Sequence, residues 1–184
     1  DIKNNKFQKN FSINFNSKKI RLNIESNTNY EDLIKKGRID LLFVNRDESF
    51  FYEINKNSLN FLSIDKKKFD GYFDFKPFYL EASFNYDGIS AKDILKNDSI
   101  LIEIFKSEIL NNENLNVNIN LNVNNITNID YLNDLKLKLN LDQGNITFSK
   151  SRIMWKDDLE INLKEGLLNY DQNEIFLIGK LIIN

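Results

Sequence analysis

The side chains here that could do chemistry are carboxylates, amines, hydroxyls and phenols, because the chain contains no histidine and no cysteine. That removes a histidine general base and a Ser-His-Asp triad. It also removes a thiolate nucleophile, a disulfide and Cys-ligated zinc or iron–sulfur centres. Three adjacent acid pairs remain for proton transfer: Glu31-Asp32, Asp47-Glu48 and Asp157-Asp158. A glycosidase needs two carboxyl groups facing each other across one bond. Neighbours on a strand point to opposite faces, and neighbours in a turn both face water, so the pairs read as turn-forming acids. Asn169, Asp171 and Asn173 begin like a calcium loop. Glu174 then stands where the loop needs glycine, and Lys180 stands where it needs the closing acid. Lys66, Lys67 and Lys68 read as a solvated turn, and no glycine-rich phosphate loop occurs among 6 glycines. The residues therefore imply a non-enzymatic protein with no cofactor and no metal. With 25 basic against 27 acidic residues and a net charge of -2, nucleic acid is not an expected partner.

The elements that would position any site announce themselves by period two. Leu115, Val117, Ile119, Leu121 and Val123 alternate with Asn116, Asn118, Asn120, Asn122 and Asn124. Leu135, Leu137, Leu139 and Leu141 alternate with Lys136, Lys138 and Asn140, and Leu159, Ile161 and Leu163 repeat the pattern. On a strand each run has one apolar and one wet face, whereas on a helix these leucines would surround the cylinder. Shorter runs at Phe11–Phe15, Ile20–Ile24, Phe50–Ile54, Leu59–Ile64, Tyr79–Tyr86, Ile146–Phe148, Ile153–Trp155 and Ile175–Ile183 fit the same template. Turn residues separate them, as at Asp142-Gln143-Gly144 and Glu165-Gly166. The abundant asparagine reads largely as solvent-facing filler. The fold class is mainly β: an antiparallel meander of about ten or more strands at hairpin spacing.

One segment breaks the pattern. From Ser90 to Leu110 the apolar residues Ile94, Leu95, Leu101, Ile104, Phe105 and Ile109 suit a short helical insertion near 91–109, with pieces at 91–96 and 99–109. A helical turn is also expected over Tyr30–Lys36. No linker divides the chain, so residues 1–184 read as one unit with a soft seam near 65–76. The start at Asp1 and the lack of any apolar run near ~20 residues suggest a segment of a longer protein, with any membrane anchor outside it. From pattern alone, a sandwich whose two sheets bury each other and an open groove that needs an apolar ligand both remain possible.

From about Phe73 to Asn184 the chain resembles the C-terminal region of AsmA-like proteins, relatives of the TamB-type envelope proteins of Gram-negative bacteria. Several stretches carry the likeness: Phe75 through Pro77 to Leu80, Ile94-Leu95 with Ser99–Phe105, Asn114-Leu115, Leu132–Leu135, Gln143–Ile146 and the closing Gly179–Ile183. The match is mostly hydrophobic and includes no catalytic residue. The resemblance implies a sheet curled into an open hydrophobic groove, anchored in the inner membrane and facing the periplasm. It implies phospholipid acyl chains and neighbouring β-segments of the same protein as partners, in moving phospholipid toward the outer membrane and supporting envelope integrity. The groove-face residues would be Leu115, Val117, Ile119, Leu121, Val123, Leu135, Leu137, Leu139, Leu141, Ile161 and Leu163. The alternative is a structural β-sandwich, or a scaffold or binding domain, with no lipid cargo.

Overall fold

The computed structural model describes residues 3–5, 8–16, 20–29, 33–43, 46–65, 68–92, 112–156, 158–171 and 174–184. The protein is mainly β, and it divides into two compact units, Asp1–Lys76 and Pro77–Asn184.

The first unit is an up-and-down antiparallel meander. Its strands are β1 (Lys3–Asn5), β2 (Gln8–Asn16), β3 (Ile20–Asn29), β4 (Ile34–Phe43), β5 (Arg46–Ile54), β6 (Ser58–Ser63) and β7 (Phe69–Phe75). Each pairs with the next. The register lines Ile13, Ile24, Ile39, Phe50 and Ser63 into one cross-strand row, so the apolar residues of alternate positions share a face. Asn55 shapes the β5–β6 turn, its Oδ1 accepting from the backbone N–H groups of Asn57 and Ser58, both at 2.8 Å. Phe69 is buried, edge-on to Phe50 at 5.6 Å between ring centroids. The buried Ser63 hydroxyl accepts from the Phe69 N–H and donates to Asp65. The helical turn expected over Tyr30–Lys36 is corrected at its described end, residues 30–32 lying outside the described residues: Ile34, Lys35 and Lys36 open β4 and pair with Asn29, Thr28 and Asn27. Lys35 and Lys36 are also paired on the other side by Ile54 and Glu53, and ladders on both edges outweigh a weak local preference.

The second unit contains β8 (Phe78–Ser90), β9 (Leu115–Thr127), β10 (Leu132–Asp142), β11 (Asn145–Phe148), β12 (Ser151–Trp155), β13 (Leu159–Asp171) and β14 (Glu174–Ile183). Its sheet is mixed, which departs from an all-antiparallel meander: β8 and β9 run parallel, Leu80 beside Val117 and Phe84 beside Leu121. A parallel pair needs a long crossover, and the connection from Ala91 to Asn114 supplies it. Ala91 and Lys92 are helical; the remainder of the helical insertion expected to 109 lies outside the described residues. Every other pair in this unit is antiparallel. Asp142 and Asn145 close a two-residue hairpin in which Gln143 and Gly144 both have positive φ, 49° and 79°. That is the turn whose twist matches its flanking strands.

Strands β11 and β12 together occupy one position between β10 and β13, interrupted at Ser149-Lys150. Three left-handed residues punctuate these strands: Asp134 (φ 41°), Lys150 (φ 53°) and Glu165 (φ 54°). Each accompanies an extra residue, and one extra residue reverses which face the following side chains take. The apolar pattern reverses with it. Leu132 shares a face with Leu135, Phe148 with Ser151, and Leu163 with Gly166 and Leu168. Where the ladder is disturbed, the Ser151 hydroxyl accepts from the Lys138 N–H at 3.2 Å and the Ser149 N–H reaches the Lys138 carbonyl at 3.0 Å.

The core of this unit is built on that face. Val117, Leu141, Ile146 and Phe148 form a buried cluster against which Leu80, Leu115, Ile119, Leu137, Leu139, Leu163 and Leu168 pack. The opposite face is polar, and its asparagines are more than filler. Asn122 donates to Asn85 at 2.8 Å, Asn124 to Asp87 at 3.2 Å and Asn118 to the Tyr79 hydroxyl at 2.7 Å. These contacts tie β9 to β8 along their parallel seam. Farther across, Arg152 joins Asp134 at 2.9 Å and Glu160 at 2.7 Å, clamping the bulge in β10 to β13 through β12.

Candidate functional site

The eleven apolar positions singled out from sequence sit on one face of the second unit. Leu115 to Val123 lie on β9 and Leu135 to Leu141 on β10, directly opposed: Leu135 to Val123, Leu137 to Leu121, Leu139 to Ile119 and Leu141 to Val117. Ile161 and Leu163 lie on β13, paired with Ile153 and Ser151 of β12. The face continues through Leu80, Ala82 and Phe84 of β8, which alternation alone did not nominate. The parallel partnership brings them there, and nothing local in the sequence encodes it.

The eleven are not equivalent. Val117, Val123 and Leu141 are 5%, 1% and 2% exposed, whereas the other eight are half-buried. Among the described residues of this unit the most exposed apolar side chains lie on β14, with Ile178 at 59% on the other face and Leu177, Leu181 and Ile183 at 56%, 66% and 65% on this one. In register they continue the face from Leu168, Leu163 and Ile161. Two glycines, Gly166 and Gly179, fall within it. A Cβ at Gly179 would stand 2.7 Å from Leu163 Cδ1, and one at Gly166 would stand 2.8 Å from Leu163 Cδ2. Leu163 therefore lies over both glycines, and larger residues there would displace it. Trp155 is half-buried and packs at 4.4 Å between ring centroids, tilted by 37°, against the more exposed Tyr131.

A second apolar feature lies in the first unit, and sequence reasoning passed over it. Phe11, Ser26, Gly37, Tyr52 and Phe61 form one in-register row across β2 to β6. A depression of about 880 Å³ is lined by these five residues and their immediate chain neighbours. A Cβ at Gly37 would lie 2.8 Å from both Cε1 and the hydroxyl oxygen of Tyr52 and against the Glu25 carbonyl. The glycine thus leaves room for the Tyr52 ring to approach the backbone of β4. The available signal was a lone glycine inside a strand, which marks close approach of another group.

The charged groups belong to the scaffold. The Ser49 hydroxyl donates to Asp40 and, against the opposing effect of burial, holds its carboxyl below the ordinary range, with Arg38 and Asn23 acting the same way. The Asn162 amide, and then Arg152, hold Glu160 below its ordinary range. Of the acid pairs, Asp47 and Glu48 fall near the start of β5, where Glu48 meets Lys68 at 3.6 Å. Glu31, Asp32 and Asp157 lie outside the described residues, as do Lys66 and Lys67. Among the described residues no cluster of three or more acids could hold a metal ion, and no helix is long and apolar enough to cross a membrane. No family model, no curated protein and no solved structure matches the chain.

Proposed function

We propose that this chain is a non-enzymatic lipid-binding β-segment, part of an AsmA-like envelope protein that moves phospholipid between membranes on the periplasmic side. The observation that supports this reading is the apolar face running over β8, β9 and β10 and, through β11 and β12, over β13 and β14. Its β14 end is still open to solvent. An acyl chain laid along such a face gains about 0.8 kcal/mol per buried methylene, with little preference for one position over the next. A headgroup would stay in water and need no dedicated polar pocket. Val117, Val123 and Leu141 serve as the packed base, and Leu121, Leu137, Ile161 and Leu163 as the contact rows.

A structural scaffold with no cargo is the second reading, and the near-complete burial of those three base residues favours it. Native mass spectrometry of the purified chain separates the two. The lipid reading expects co-purified phospholipid that is lost in Leu121→Asp and Leu137→Asp, with both variants still folded. A wild type without lipid, together with variants that unfold, is the result expected of a scaffold core and ends the transport reading.

A further inference from the structure

We infer that the depression over Gly37 in the first unit seats one uncharged hydrocarbon chain, laid across the strands. This rests on the lipid-binding reading above and names a place where a tail is held. Four features carry it. First, the row of Phe11, Ser26, Gly37, Tyr52 and Phe61 is low in the middle and aromatic at both ends. Serine and glycine stand where bulkier side chains would fill the space, and Cε1 and the hydroxyl of Tyr52 come close over Gly37. Second, the volume of about 880 Å³ falls in the ~300–1,000 Å³ range of small-ligand sites.

Third, the length suits a lipid tail. Phe11 and Phe61 are separated by four strand-to-strand steps, about 19 Å at ~4.8 Å per step. That exceeds half of the ~30 Å hydrocarbon thickness of a bilayer, which is the reach of one tail. Fourth, the charges nearby leave no attraction for an anion. Lys36 is paired with Glu53 at 2.7 Å and Arg38 with Asp40 at 2.7 Å, so both cations bordering Gly37 are already matched. A phosphate or carboxylate is held by an uncompensated cation, and an alkyl chain needs none. The Ser26 and Tyr52 hydroxyls are the polar groups of the row itself.

The test uses the whole chain and a hexadecanol bearing a mid-chain diazirine, photocross-linked and mapped by peptide mass spectrometry. Cross-links are expected on β3, β5 and β6, removable by unlabelled hexadecanol. They should fall at least tenfold in Gly37→Ala, where the new methyl meets the Glu25 carbonyl as well as Tyr52, and in Ser26→Leu, which fills the row without a substitution at Gly37. Ser26→Leu decides the matter if Gly37→Ala does not fold, as read by far-UV circular dichroism. Cross-links on residues 115–163 should persist in both variants. First-unit labelling that survives Ser26→Leu overturns the seat. Labelling confined to residues 115–163 overturns the seat and spares the wider lipid reading, whereas no specific labelling anywhere overturns both. Hexadecanoate competing at least tenfold better than hexadecanol at low salt overturns the assignment of an uncharged ligand.

Discussion

Replacing Leu141 by alanine measures how far the apolar face of the second unit is a core. Leu141 is 2% exposed and is flanked in register by Val117 on one side and Ile146 on the other. The truncation removes three carbons, about 2.4 kcal/mol at ~0.8 kcal/mol per methylene. The hole left between well-packed neighbours adds to this, bringing the expected loss to about 3–4 kcal/mol. Leu181→Ala is the internal control, because Leu181 belongs to the same face but is 66% exposed. Only about a third of its transfer term applies, giving about 0.8 kcal/mol. Urea unfolding should therefore show a large fall in midpoint for Leu141→Ala and a small one for Leu181→Ala, both with unchanged slope. Equal losses, or a loss below about 1 kcal/mol for Leu141→Ala, would refute the division into a packed base and an open β14 end.

The bulges make a second prediction: Glu165→Val should cost about 1–2 kcal/mol because a β-branched side chain is disfavoured at φ 54°, whereas Glu165→Gly should be near neutral in the same unfolding assay. Arg152→Ala should destabilise by about 1 kcal/mol, since Arg152 alone links Asp134 to Glu160 and all three side chains are partly solvated; a double-mutant cycle with Asp134→Asn checks the coupling. Asp40 and Glu160 have folded-state pKa values below those of the unfolded chain, so their contribution is complete above the ordinary carboxylate range and is lost as pH falls through the lower folded values. Stability measured from pH 7 downward should decline at the acid end, and Ser49→Ala with Glu160→Gln should flatten that decline.

Strand identity was legible wherever alternation was long and unbroken. The alternating stretches 115–123 of β9 and 135–141 of β10 assign each of their apolar residues to one face, because a pleated strand turns successive side chains to opposite sides. Even the bulges left a trace in sequence. Leucines at 132 and 135, and at 163 and 168, are out of step by one residue, and one extra residue in the strand restores their common face. Local pattern could not decide which strands become neighbours. β8 lies parallel to β9 through a long crossover, and β11 and β12 share one place in the sheet. Pattern also could not decide burial. Val123 at 1% and Leu181 at 66% look alike as apolar residues on alternating strands, yet Val123 lies between β8 and β10 whereas the pairing of Leu181 is to Leu163 of β13. Gly37 and Tyr52 lie fifteen positions apart in sequence, and they meet because β4 and β5 pair in a register that sets them directly opposite. Alternation is a property of one strand and can be read from it; pairing, burial and the depression over Gly37 depend on contacts between strands, which exist only once the chain has folded.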